Sequence, residues 1–420
     1  MSYILVVNPT MLGDAGMPYG GVFMATAIIA GLGSIAMGLW AKLPLALAPG
    51  MGTNAFFTYV VVAQMGYSWQ EALAAGIIAG VMFLIISLTG VRKMIMEAVP
   101  TNLRYAIGAG IGFFIAFIGL RNAGIIVPDA GTLVKLTDFS QPMVWLALFG
   151  IVLVFVLHAL KFRFSIIVSI FTTAVIGIIF GSIFPKAGLP ALPALADFNY
   201  KPLADLSITA KGFVEGFASA NLWRWDLILV IISFTFVDMF DTMGTFMACA
   251  GPAGLIKEDG SMEGADRGLL VDSGATVIGS MLGTPVTTTY IESSAGIAAG
   301  ARSGFAAIVV GLLFFLSILL FPVIQIFSHP AVTAMALVLV GVLMAQQLKN
   351  IEWENAGVAI FAFMTIIITV LTYSIANGIA FGFVFYTVMM LAQKKWKEVH
   401  PVMYVMSGVF IAYYILQAIF

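Results

Sequence analysis

Apolar residues run along this chain in long blocks, and most charged residues sit in the short intervals between them. Blocks at 20–40, 69–89, 104–120, 144–160 and 165–184 precede a polar stretch at 185–223. Blocks at 226–250, 268–282, 303–326, 330–346, 357–371 and 376–391 follow it. A hydrocarbon core about 30 Å thick takes roughly twenty helical residues to cross, so the pattern predicts an all-α polytopic membrane protein. The opening block is shorter, with about seven residues before Asn8-Pro9. Such a segment is either re-entrant or lacks its beginning, and a shortened start is the expectation.

Two blocks are broken. Residues 43–54 carry Pro44, Pro49, Gly50 and Gly52, and residues 284–300 open on Thr284-Pro285. Proline and glycine interrupt helices, so each is predicted to hold a short extended piece followed by a half-helix, the first half-helix over 54–65. Extended backbone cannot face lipid and must be buried in protein or line a cavity. Residues 37–47 and 279–289 share glycine and proline ahead of an extended run, which predicts an internal repeat. Counting the opening segment and the broken blocks, each half has seven segments, and an odd number inverts the second half relative to the first. The expected architecture is therefore about fourteen segments in two inverted repeats, 1–184 and 225–400. An extracytoplasmic linker at 185–224 joins them, and an apolar tail at 401–420 spans the membrane or lies at its interface. Interrupted segments at matching places in two halves point to a transporter's binding site.

Composition agrees. Of 420 residues, 61% are hydrophobic and 9% charged, and mean hydropathy is +1.07, whereas soluble domains are about a quarter charged. With 19 basic and 20 acidic residues there is no basic face for nucleic acid. With a cytoplasmic N-terminus, Lys42, Arg92, Lys93, Arg104, Lys161, Arg163, Lys257, Arg267, Arg302, Lys349, Lys394, Lys395 and Lys397 fall inside. Arg121, Lys135, Lys186, Lys201, Lys211 and Arg224 fall outside, an asymmetry that agrees with the positive-inside rule. The single cysteine, Cys249, excludes an internal disulfide and any cysteine metal cluster, and is expected to pack as a small apolar residue.

Against this background the carboxylates Asp238, Asp241 and Glu292 stand out, because an ionised aspartate at mid-bilayer costs about 2.5–3.5 kcal/mol. Asp238 and Asp241 are three residues apart and share a helix face. Two such acids in a low dielectric are expected to hold a proton between them, which makes them candidates for proton coupling. Glu292 follows the extended run 286–290. A carboxylate beside free backbone N–H and C=O groups suits a planar heterocycle, although an acid there also has a capping explanation. Asn54, at the matching place in the other half, can donate and accept at once or merely cap its half-helix. Phe236, Phe240, Phe56, Phe57 and Tyr290 could stack on a flat ring or simply pack. Thr245, Thr288 and Thr289 could bond a ligand or the backbone. No chemistry is assigned to His158, His329 or His400. Val271-Asp272-Ser273-Gly274 matches an aspartic-protease string but has no second copy. A membrane-embedded protease using Asp238 and Asp272 is the rival from another class, and it requires two acids facing each other in a groove. Residues 251–266 read as a cytoplasmic loop, their acids lacking EF-hand spacing.

Four stretches, Asn8-Pro9 with Asp14–Pro18, Ala48–Phe57, Phe236–Thr245 and Thr288–Gly296, resemble the signatures of the AzgA-like purine permeases. These form the adenine/guanine/hypoxanthine branch of the xanthine/uracil permease (nucleobase–cation symporter) superfamily. The resemblance covers essentially the whole chain. It implies a core domain (about 1–90 and 225–326) that moves against a gate domain (about 104–184 and 330–394). Short strands in the third and tenth segments would pair to complete the site. By position, Asp238 and Glu292 would bond the purine, with Asn54, Thr289, Tyr290, Phe236 and Gly52 around it, and Asp241, Asp238 and Glu292 would couple a proton. The implied protein is not an enzyme and needs no cofactor beyond a coupling ion, a proton or else sodium. It would sit in the cytoplasmic membrane, as a homodimer through its gate. Departures are the few residues before the first motif, Thr53 and Pro285 in place of other residues, and the tail after His400. Within the superfamily, a uracil, xanthine or urate permease is the alternative. An anion transporter of the same architecture would want a basic residue at 49–56 or 284–292, and none is there.

Overall fold

The computed structural model describes residues 1–89, 98–162, 164–184, 189, 202–255, 262–325 and 327–419. Arg92, Lys93, Arg163, Lys186, Lys201 and Lys257, used above for orientation, lie outside the described residues, as does part of the expected linker. Among the described residues nine helices are long and apolar enough to cross a membrane. Shorter apolar helices occupy Ile4–Gly13, Met51–Val62, Ala356–Leu371 and Pro401–Ala412. This is a multi-pass membrane protein.

The helices sort into two packing groups. One contains Ile4–Gly13, Tyr19–Ala36, Trp69–Leu88, Leu227–Ala253, Ala265–Leu282 and Phe305–Ser317. The other contains Thr101–Asn122, Pro142–Ala159, Ser165–Ile183, Pro330–Ala345, Ala356–Leu371 and Ile375–Ala392. Small residues set the closest crossings, because helices in lipid gain most from backbone approach. A Cβ on Gly341 would lie 2.5 Å from the Gly112 carbonyl, and one on Gly304 would lie 2.0 Å from that of Gly38.

Both broken blocks contain strands. The helix Tyr19–Ala36 widens into a π turn at Met37–Ala41 and stops at Lys42, which is in the left-handed region at φ 59. The strand Leu47–Pro49 follows, then Gly50 and a half-helix Met51–Ala55 that continues as a π turn over Phe56–Val62. The half-helix thus starts three residues earlier than the sequence suggested, since Gly50 supplies the extended entry and Met51 the first helical residue. In the second half, Gly283 (φ 105) ends the helix Ala265–Leu282. The strand Thr287–Thr289 and the short helix Ser293–Ala298 come next. The strands pair antiparallel with Ala48 opposite Thr288. Gly50 N–H to Val286 O and Tyr290 N–H to Ala46 O, both 2.9 Å, close the ends. The strands are buried in protein, and the ladder gives their backbone partners that lipid could not supply.

Two regions differ from expectation. The polar stretch expected as a linker contains a helix, Pro202–Ala218, packed on Tyr19–Ala36 and Trp69–Leu88. Its glycines admit the neighbours: a Cβ on Gly212 would meet the Trp69 ring at 2.1 Å, and one on Gly216 the Gln70 carbonyl at 2.0 Å. Glu71, half of a capping box with Ser68, also accepts from Ser219 beyond this helix. The 121–141 loop carries an unforeseen hairpin, Ile126–Asp129 with Leu133–Leu136. There Lys135, 2.8 Å away, and the Gly131 and Thr132 N–H groups hold the Asp129 carboxyl down at about 2. The tail forms a helix, Pro401–Ile419, seated on Ile375–Ala392 through the Thr387–Ser407 hydroxyl pair (2.8 Å).

Candidate functional site

A cavity of about 450 Å³ lies between the two groups, within the usual size for a small-molecule site. Gly52, Asp241, Thr289, Tyr290 and Glu292 line it from one group, and Ile111, Val340 and Met344 from the other. Thr101 and Arg104, at the start of one helix of the second group, and Lys349, after the end of another, border it on the same side. At Gly52 the two groups approach closely, since a Cβ there would come within 2.6 Å of the Ile111 side chain.

Near the opposite end of the boundary the two groups touch through polar side chains, beside a second cavity of about 370 Å³ lined by Phe56, Gln64, Leu229, Ser374 and Asn377. Asn122 Nδ2 donates to the Tyr59 hydroxyl at 2.8 Å, and that hydroxyl donates to Asp14 at 2.7 Å. The Arg121 guanidinium lies 5.3 Å from the centre of the Tyr373 ring. Asp14 and Tyr59 belong to the first group, and the other three to the second. Arg121 and Asn122 end the helix that Thr101 begins, so this contact and the cavity's border at Thr101 are about 30 Å apart.

Glu292 precedes the short helix and makes no capping bond with its side chain. Its Oε1 instead accepts the hydroxyl of Tyr3 at 2.5 Å. Tyr290 is committed to the strand pair, its hydroxyl donating to Pro49 O at 2.6 Å. The Thr289 N–H donates to Thr242 Oγ1 (3.1 Å), and Thr289 O accepts from Thr245 (3.2 Å), so helix Leu227–Ala253 is pinned to the strand. Asp241 faces the cavity and takes a long contact, 3.4 Å, from Thr288 Oγ1.

Asp238 does not line the cavity. It is 1% exposed and accepts from Thr276 at 2.9 Å. Asp272, at 0%, accepts from Thr242 at 2.6 Å. Each has a buried Oδ1 with no hydrogen-bond partner, and each accepts from a threonine on the other's helix, which sets the two acids on facing turns of adjacent helices. Two buried carboxyls in that arrangement are satisfied when they share one proton. Thr242 also meets the Thr288 hydroxyl at 2.9 Å, so hydroxyls link Asp272 to Asp241. The juxtaposition that a protease would need is present, but neither acid lines the cavity.

Asn54 also lies away from the cavity. It is fully buried and donates to Asn8 Oδ1 at 2.5 Å. Asn8 in turn donates to Thr26 (2.7 Å) and Thr284 (2.9 Å). Asn54 therefore ties the first helix to the residues flanking both strands. Phe236 is off the lining as well. It stacks on Phe240, which does line the cavity, at 5.6 Å and 16°. Phe56 packs edge-on against Phe234. His329 and His400 accept backbone N–H groups at helix starts. Among the described residues, no group of three or more His, Cys, Asp or Glu is placed to hold a metal ion.

The sequence reading missed Tyr3 and Asp272 as site residues. Asp272 carried the same signal as Asp238, a carboxylate within an apolar block. Tyr3 carried none. Around Asp241, Thr289 and Glu292 the cavity is rich in acceptors and flanked by aromatic rings, which suits a flat ligand with N–H donors, while Arg104 and Lys349 bring donors to its border.

A family model described as "Permease family" matches residues 1–381. The guanine/hypoxanthine permease PbuG of Bacillus subtilis (strain 168) is 44% identical over 425 residues, 99% of this chain and 93% of that protein. The adenine permease AdeQ of Escherichia coli (strain K12) is 37% identical over 410 residues, 98% of this chain and 89% of that protein. Among solved structures, the transmembrane domain of the cyanobacterium bicarbonate transporter BicA matches with a TM-score of 0.64 at 16% identity, over 90% of this chain and 94% of that one. The murine Slc26a9 anion transporter in the inward-facing state matches at 0.58 and 12%, over 93% and 67%. At these identities the structural likenesses concern the fold.

Proposed function

The chain belongs to the permease family whose model spans its residues 1–381, and from that membership we propose that it imports purine nucleobases across the cell membrane by proton symport. The observation that carries this reading is the pair of carboxylates, Asp241 and Glu292, on one cavity beside the paired strands. Carboxylates accept N–H bonds from a purine, and Phe240 and Tyr290 offer ring faces beside them. The names of the relatives, guanine/hypoxanthine and adenine permeases, support the substrate class.

In this reading Glu292 and Asp241 hold the base, while the Asp238–Asp272 pair holds the coupling proton. Thr242 and Thr288 connect the two. Thr288 has one proton and two acceptors within reach, Thr242 Oγ1 at 2.9 Å and Asp241 at 3.4 Å. Its orientation therefore reports the state of the buried pair to the cavity. The two packing groups act as core and gate, with fourteen crossings in two inverted repeats. The cavity is open at the cytoplasmic end, marked by Arg104 and Lys349. Transport alternates this state with one in which the Asp14–Tyr59–Asn122 contact opens. Assembly as a homodimer through the gate completes the reading.

The test is uptake of radiolabelled hypoxanthine, guanine, adenine, xanthine and uracil into proteoliposomes, with and without an inward proton gradient. Gradient-driven accumulation of the first three is expected. Uptake of xanthine or uracil alone would move the protein to the sister branch. Accumulation that follows sodium and ignores the proton gradient would replace the coupling ion.

A further inference from the structure

Tyr3 is 3% exposed, lines the same cavity as Asp241 and Glu292, and gives its only hydroxyl proton to Glu292 Oε1 at 2.5 Å. Its ring lies 6.3 Å from that of Tyr290, tilted by 42°. Tyr290 cannot serve Glu292 in the same way, since its own hydroxyl is held by Pro49 O. Glu292 is on the short segment after the second strand and makes no capping bond to its helix, so nothing local fixes its carboxylate. The contact that does fix it comes from a residue 289 positions away, on the segment leading into the first helix.

We propose that Tyr3 is a positioning residue for substrate recognition, resting on the nucleobase reading above. A carboxylate accepts at about four lone-pair sites. A phenol on Oε1 holds the group in one orientation and leaves Oε2 for the N–H of an incoming base. A charge-assisted bond of this kind contributes about 1.5–3 kcal/mol. Restraining Glu292 before the base arrives spares the ordering cost on binding.

The experiment measures initial rates of hypoxanthine uptake by the full chain in proteoliposomes, for wild type and Tyr3→Phe. Phenylalanine keeps the ring and its packing on Tyr290 and removes only the donor. The expected result is a KM raised about tenfold, with maximal rate per reconstituted molecule and thermal stability close to wild type. An unchanged KM overturns the proposal. So does a loss of maximal rate and stability with KM unaltered, which would make Tyr3 a purely structural residue. If wild type itself carries no base, the nucleobase reading fails and this proposal with it. Wild-type uptake with an indifferent Tyr3→Phe refutes the role of Tyr3 alone.

Discussion

The two strand-bearing segments bond to each other residue for residue and are built from opposite chemistry. Leu47-Ala48-Pro49 offers the ladder no polar side chain, and the first polar carboxamide after it, Asn54, is spent on Asn8. Thr287-Thr288-Thr289 is hydroxylic throughout and faces helices carrying Asp238, Asp241 and Asp272, with Glu292 three residues beyond. The apolar strand presents backbone and holds the first helix in place, while the polar one carries the groups that can engage cargo and proton. Two paired segments thus need not share a task. The pairing supplies a buried ladder, and the sequence differentiates its two sides.

Substitutions on the polar side should have the largest effects. Glu292→Gln keeps the volume and the bond from Tyr3 and removes the charge. Hypoxanthine uptake should fall about 10- to 100-fold with the protein still in the membrane at wild-type abundance; wild-type rates would remove Glu292 from the site. Asp272→Asn should come next. It leaves the cavity lining intact and breaks the shared-proton arrangement with Asp238, so exchange of labelled for unlabelled base across the membrane should persist while accumulation driven by a proton gradient disappears. Accumulation at the wild-type level would show that the buried pair is not the proton's seat.

The apolar side should respond differently. Asn54→Ala leaves the buried Asn8 Oδ1 without its donor, at a cost of about 1–3 kcal/mol. A thermal unfolding midpoint lowered by roughly 2–5 °C is expected, with the KM for hypoxanthine within about threefold of wild type. A KM raised tenfold at unchanged stability would put Asn54 on the ligand and erase the distinction between the segments.

How legible this was differed from residue to residue. Asp241 and Glu292 were visible because a carboxylate in an apolar block is costly wherever it lies. The same cost applies to Asp272, which lies in an Asp-Ser-Gly string without a second copy and is buried beside Thr242. The direction in which a side chain points was not legible. Asp238 and Asp241 sit three apart on one helix, yet only Asp241 reaches the cavity, while Asp238 turns to Thr276 on the adjacent helix, which also bonds Thr287 O of the strand. Asn54 looked like a ligand because it follows a broken helix, and its partner Asn8 could be found only through the tertiary fold. Tyr3 had no mark at all, being one aromatic among many whose role rests on a contact across most of the chain. The helix Pro202–Ala218 was hidden by its polar composition, although Gly212 and Gly216, spaced one turn apart, were a sign of close helix packing.

The most direct test of the division between the strands is equilibrium binding of radiolabelled hypoxanthine to the purified protein, comparing wild type with Glu292→Gln and Asn54→Ala. An affinity at least about tenfold weaker is expected for the first and one within about threefold of wild type for the second. Equal losses in both, or a larger loss in Asn54→Ala, would contradict it.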